Sequence, residues 1–148
     1  MATVTSYGAA KVVTGSCHLL AIEHGPCILI DCGMFQGPEE DRNYNAFDFD
    51  PSEIDYLLIT HAHLDHIKGI PFLADNLVIK NKAHSVTIIS MQSVLGALKK
   101  NLLNNRIWPD FTIISAASRP VLLLKPLIPG RPLYICRYTI TAYQVNHS

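Results

Sequence analysis

The sequence predicts an α/β fold, and three observations predict it. Short apolar runs bounded by turn residues open the chain, a strand–helix–strand–helix stretch fills the middle, and strand-like runs return at the end. Residues 2–7 carry alternating β-branched positions before Gly8 and Gly15 interrupt them. Residues 17–23 and 27–30 are apolar runs parted by His24-Gly25-Pro26, a hairpin signal. Residues 31–50 form a polar loop holding Gly33, Gly37, Pro38 and a run of acids, a length that is more often functional than incidental. Asp50-Pro51-Ser52-Glu53-Ile54-Asp55 reads as one helical turn, with Asp50 as its cap and Pro51 at the first helical position.

Residues 56–60 are a wholly apolar strand of the kind buried on both faces, and 86–90 are another. Ile67, Ile70, Leu73 and Leu77 have helical spacing, although Gly69 and Pro71 weaken the first turn. Residues 91–103 are the clearest helix, with Ser90 as cap and Val94, Leu95, Leu98 and Leu102 on one stripe. After a loop at 104–112, strands are expected at 121–124, 133–135 and 138–145, divided by Pro126, Pro129-Gly130 and Pro132. Sheets built this way need helices on one face.

With 148 residues the chain is one domain, 1–148. Hydrophobic residues at 49% supply a core, and charged residues at 16% are too few for disorder. Twelve basic and 12 acidic residues cancel, which excludes a broad polycationic face as the basis of nucleic-acid binding. No run approaches the roughly 20 apolar residues of a membrane span, and the first residues lack the pattern of a secretory signal. Cys17, Cys27, Cys32 and Cys136 form no C-x-x-C pair, so free thiols and a cytoplasmic location are expected.

The chemistry concentrates in Thr60-His61-Ala62-His63-Leu64-Asp65-His66, directly after the strand at 56–60. Side chains two apart on extended backbone point the same way, so His61 and His63 address one point. Asp65 and His66 lie where the chain turns into a helix and address a second point nearby. Three imidazoles and a carboxylate make a poor core and a good cation site, suited to zinc and similar ions. The bland alternative is a polar turn with surface histidines.

The HAHLDH run resembles the signature of the metallo-β-lactamase superfamily. The resemblance implies the first half of an αββα sandwich, a mixed sheet with helices on one face. It places His61 and His63 on a first metal and Asp65 and His66 on a second, with zinc (one or two ions) expected and manganese or iron as alternatives. It puts Asp31 beneath the site, orienting the histidine loop by hydrogen bonds, and makes Asp65 the residue that orients the attacking water. Residues 4–65 resemble the β-CASP ribonucleases through Gly8-Ala9-Ala10, Val13-Thr14-Gly15-Ser16-Cys17-His18, Asp31-Cys32-Gly33-Met34-Phe35-Gln36-Gly37 and Phe49-Asp50-Pro51. Residues 61–148 are similar to class II cyclic-nucleotide phosphodiesterases through the 61–77 stretch, Ile107-Trp108-Pro109-Asp110-Phe111 and Val145-Asn146-His147, which makes His147 the third histidine of the first metal. Such a two-branch sequence is a recombined, engineered or divergent natural chain.

The expected function is metal-dependent phosphodiester hydrolysis, metal-bound hydroxide attacking phosphorus, with a cyclic nucleotide favoured and RNA second. The superfamily's later ligands, a bridging acid and a last histidine, do not occur by Ser148, so weak turnover is expected. A non-catalytic metal-binding half-domain is the rival. A half sandwich also leaves a sheet face for a partner, most simply a second copy in a homodimer. Of the other residues, His18 is expected to be hydrogen-bonded and structural, His24 and His84 solvated. Lys80, Lys82, Lys99, Lys100 and Arg106 are expected on a solvated face rather than on phosphate. Trp108 is expected to pack against the helix.

Overall fold

The computed structural model describes residues 1–10, 13–44, 46–80, 84–116 and 118–145. In chain order the elements are β1 (Ala2–Gly8), β2 (Cys17–Ile22), β3 (Cys27–Ile30), two 3-10 segments (Gly37–Tyr44 and Pro51–Glu53), β4 (Tyr56–Leu58), α1 (Leu64–Ile67), α2 (Ile70–Ile79), β5 (Val86–Met91), α3 (Gln92–Asn101), β6 (Ser115–Ala116), β7 (Arg119–Pro120), β8 (Leu122–Leu127), β9 (Leu133–Ile135) and β10 (Tyr138–Ile140). Six of these strands form a mixed sheet in the order β1-β2-β3-β4-β5-β8. The first three pair antiparallel, and β3, β4, β5 and β8 pair parallel through longer crossovers. This is the mixed α/β architecture that the sequence predicts.

Register decides what each face of the sheet meets. Leu29, Leu57 and Ile88 lie side by side across β3, β4 and β5. They are fully buried beneath Ile70, Leu73 and Leu77 of α2 and Val94, Leu95 and Leu98 of α3. Burial of each such side chain contributes about 1.5–3 kcal/mol. The opposite face carries Ile28 and Ile89, with Leu20, Tyr56 and Leu58 around them. It is covered by the β9–β10 hairpin through Ile135, Leu133, Tyr138 and Ile140. Helices thus occupy one face, and a hairpin covers part of the other.

Several local expectations are corrected. The helical stretch at 67–77 is two helices, α1 and α2, because Gly69 sits hard against the loop after β3. A Cβ there would lie 2.5 Å from Cys32 Sγ, and Gly69 N donates to Cys32 O at 2.7 Å. Ser90 does not cap α3; its hydroxyl donates to the Ile59 carbonyl at 2.6 Å, tying β5 to the end of β4. The strand at 56–60 stops at Leu58, since Thr60 N turns away to a side chain described below. The strand at 121–124 instead continues to Leu127, through Pro126, which is tolerated because β8 is an edge strand. The tail strand is only Tyr138–Ile140.

Asp50 does cap its turn, accepting from Ser52 N, and His18 does bond Ser6 Oγ, at 2.9 Å. His84 is not solvated: its Nε2 lies 2.6 Å from Ile54 O. Lys99 is not on a free face either, because it pairs with Asp110 and donates to Thr112 Oγ1. Lys80 likewise pairs with Asp50, at 2.7 Å. Lys82 lies outside the described residues. Trp108 packs edge-on against Phe72 of α2, ring centroids 5.2 Å apart. Among the described residues no helix is long and apolar enough to cross a membrane.

Candidate metal centre

The site begins where β3 ends. Asp31 takes a left-handed backbone conformation, φ 57°, which Asp tolerates better than most residues. Its N–H stays on the ladder, donating to Leu58 O at 2.8 Å, while its carboxylate is only 2% exposed. A buried carboxylate must be satisfied, and this one gathers donors from three directions. Oδ1 accepts from Thr60 N at 2.9 Å and Oδ2 from Ser16 Oγ at 3.0 Å. Thr60 Oγ1 reaches both oxygens, at 3.1 and 2.9 Å. His66 Nδ1 lies 2.7 Å from Oδ2.

A carboxylate only accepts, so His66 Nδ1 is the donor in that contact, and in the neutral ring the lone pair is then on Nε2. The same logic reaches His61. Thr60 Oγ1 has one proton, and Asp31 takes it. His61 Nδ1, 3.0 Å from Thr60 Oγ1, is then the donor in that contact. One buried carboxylate therefore stands behind two imidazoles, directly for His66 and through Thr60 for His61.

The loop after Asp31 clamps the backbone of α1 from below. Ser16 N donates to Asp65 O at 3.0 Å, Cys32 N to His66 O at 2.7 Å, and Gly33 N to Ser16 O at 3.0 Å. Gly33 passes so near that a Cβ on it would stand 1.5 Å from Asp65 O. Only glycine permits this approach. His63 occupies the cap position of α1 in an extended conformation, and its ring stands edge-on to that of His61.

The rings do meet. His61 and His63 are edge-on at 4.7 Å between centroids, and His61 and His66 are tilted at 3.8 Å. Asp65 Oδ2 lies 3.5 Å from His66 Nε2. Two imidazoles on one tetrahedral zinc, each bound at about 2.0–2.1 Å, would hold their centroids about 5 Å apart. The His61–His63 pair is near that spacing, whereas His61 and His66 are closer and stack. Among the described residues no three His, Cys, Asp or Glu side chains already surround a common point as an ion requires. In donor chemistry the group suits zinc, with three imidazoles, a carboxylate, and two rings oriented from behind through Nδ1. His147, the remaining expected ligand, lies outside the described residues.

The cysteines are not offered as ligands. Burial, with the charge of Asp31 behind it, pushes the Cys17 thiol up to about 12. Burial raises Cys32 well above its ordinary value too. Both stay protonated and poorly nucleophilic at neutral pH. Sequence reasoning missed Thr60 and Ser16, whose hydroxyls link Asp31 to the histidine loop. A Thr directly before His-x-His was the available signal.

The comparisons with known proteins agree with this architecture. The family model described as the metallo-beta-lactamase superfamily matches residues 10–109. Ribonuclease TTHA0252 of Thermus thermophilus is 56% identical over 70 residues, covering 47% of this chain and 16% of that protein. Ribonuclease Z of Bradyrhizobium sp. is 30% identical over 129 residues, covering 87% of this chain and 39% of the relative. The chain therefore spans well under half the length of either. Among solved structures, unliganded yeast PDE1 superposes with a TM-score of 0.62 at 18% identity, over 93% of this chain and 54% of that one, a likeness of fold alone. A match over more than half of the residues, on a mixed sheet of the expected kind, means that the chain belongs to the metallo-beta-lactamase superfamily.

Proposed function

We propose that this chain acts in metal-dependent hydrolysis of phosphodiester bonds, with RNA as the substrate class and zinc as the metal. The observation that carries this reading is the buried Asp31 carboxylate, which holds the Nδ1 protons of His66 directly and of His61 through Thr60. Such partners behind metal-binding histidines fix ring orientation and raise ligand basicity. A structural polar turn needs no such arrangement.

His61, His63, Asp65 and His66 would hold the ion or ions, with His147 as a further ligand. When bound, zinc supplies Lewis acidity and lowers the pKa of a water to about 7. Asp31 and Thr60 orient the two rings through their Nδ1 atoms. Asp65, whose side chain is 22% exposed, reaches solvent; its Oδ2 orients the attacking water and accepts its proton. The Cys32–Gly33 loop keeps the α1 backbone, and so Asp65 and His66, in register with Asp31.

RNA is preferred because both relatives named above are ribonucleases, one of them similar along most of this chain. A cyclic nucleotide is the second reading. It is favoured by the resemblance of the 61–77 stretch and residues 107–111 to the phosphodiesterase branch.

Zinc titration by calorimetry after chelator treatment tests the metal, using the parent chain beside His61→Ala and His66→Ala. Uptake that both substitutions weaken supports the proposal, and uptake indifferent to them sinks it. Incubating the zinc-loaded protein with a short single-stranded RNA and, separately, a cyclic nucleotide decides the substrate.

A further inference from the structure

A cleft of about 1030 Å³ opens beside the histidine cluster without including it; none of His61, His63, Asp65 and His66 lines it. The volume is at the upper end of what small-molecule sites occupy. Cys32 and Gly33 line the cleft while their backbones bond Ser16 and His66 and abut Asp65. One loop thus serves as the wall of the cleft and the floor of the histidine site.

One side of the cleft is a helical stripe. Lys68, Phe72, Asn76 and Lys80 all line it, and their spacing of four places them on one face of the α1–α2 segment. The facing side comes from the 34–51 segment and is aromatic: Phe35, Phe47 and Phe49. Phe49 lies 5.0 Å from Phe47 and 5.2 Å from Tyr7, centroid to centroid. An open cleft walled this heavily by aromatic rings marks a binding surface for another flat apolar body.

The charges along the cleft specify the rest. Arg42 is engaged three times, with Glu39 at 3.3 Å, the Tyr7 carbonyl at 2.8 Å and the Phe35 ring at 4.0 Å. Lys80 is neutralised by Asp50. Lys68 has no such partner among the described residues, yet it is half-buried on the helical side of the cleft, across from the aromatic wall. Asp48, the other charge lining the cleft, is exposed to water, where solvent screens it. A partly desolvated ammonium in a cleft walled by aromatic rings favours an anion carried at the edge of a planar ring.

We propose that this cleft is a second binding site, separate from the histidine cluster, for a planar aromatic anion. The ring lies between Phe72 and the Phe47–Phe49 wall, and the anionic group pairs with Lys68. The proposal goes beyond phosphodiester hydrolysis and does not depend on metal binding.

The test uses anilinonaphthalene sulfonate as the aromatic anion and uncharged phenylnaphthylamine as its neutral counterpart, titrated by fluorescence with and without chelator. Amide chemical shifts locate the probe. One-to-one binding of the sulfonate, shifting the amides of Gly33, Phe49 and Asn76 whether or not chelator is present, is the expected result. Lys68→Gln weakens the sulfonate about tenfold, the size of one half-buried charge contact, and leaves the neutral probe unchanged. Lys68→Arg restores it, and Phe72→Ala weakens both probes. Shifts confined to Val4 and Leu123 on the hairpin side of the sheet would overturn the proposal. So would an affinity for the sulfonate that ignores Lys68→Gln in a variant with parental thermal stability. Because the histidines do not line the cleft, failure of zinc binding leaves this result standing, and the reverse holds equally.

Discussion

Replacing Asp31 by Asn exchanges one carboxylate oxygen for an NH2 group at the centre of the site. Placed at the Oδ1 position, the new donor would face the N–H of Thr60, now 2.9 Å from that oxygen, and a backbone donor cannot reverse its role. Placed at Oδ2, it faces Ser16 Oγ at 3.0 Å and His66 Nδ1 at 2.7 Å, and both can adapt. The serine hydroxyl rotates to accept, and the imidazole changes tautomer. The second arrangement wins because an unmatched buried donor costs about 1–3 kcal/mol. Its consequence is that the proton of His66 moves to Nε2, the nitrogen that an ion needs.

Asp31→Asn should therefore cost only about 1–3 kcal/mol of stability, the worth of hydrogen bonds to a charged group. That is a fall in Tm of roughly 3–10 °C. Zinc affinity should drop about 10- to 100-fold, as when a partner behind a ligating histidine is lost. Calorimetry measures the affinity, and nitrogen-15 NMR of the imidazoles reports the tautomer. Asp55→Ala removes a carboxylate that accepts from Cys27 N at 2.8 Å away from the site. It serves as a control that lowers stability without touching zinc. Parental zinc affinity in Asp31→Asn, with His66 still protonated on Nδ1, would refute the tautomer argument.

Gly33→Ala and Gly96→Ala should move stability in opposite directions in thermal melts. The first forces a methyl to within 1.5 Å of Asp65 O and breaks the loop clamp, so a loss of more than about 3 kcal/mol is expected; the second meets nothing within 4 Å inside α3 and should gain about 0.5–1 kcal/mol. On the acid side, burial is the largest single influence on Asp110 and would raise its carboxyl, but the hydrogen bonds from Lys99 and Thr112 together hold it below its ordinary 3.8. The ionised form then contributes stability above about pH 4 that is lost as pH falls further, and acid titration of Lys99→Met should show a shallower loss than the parent. On the alkaline side, the Cys17 thiol raised to about 12 favours the folded state fully below its ordinary 9.0, and that contribution fades as pH climbs from 9.0 towards 12. Alkylation at pH 8 should accordingly label the exposed Cys136 first and reach Cys17 and Cys32 only on unfolding.

Much of this molecule is written locally. The 27–30 and 133–135 strands, the Asp50 cap and the α3 stripe follow from alternation, capping chemistry and 3.6-residue spacing. All of these act over a few residues. The histidine cluster was legible for the same reason, since its members fall within six consecutive positions. Tertiary structure alone decided what stands behind them. Asp31 and Ser16 reach the loop from 35 and 50 positions before His66, and only the parallel pairing of β3 with β4 sets that carboxylate beneath Thr60. The same long-range contacts overrode local rules where the two conflicted. Ser90 gives up its cap to reach Ile59, Lys99 pairs with Asp110, and Gly69 splits one helix into two because Cys32 lies against it. The composition of the 68–80 stripe was visible in the sequence, but the cleft that it lines exists only once the 34–51 segment folds across from it.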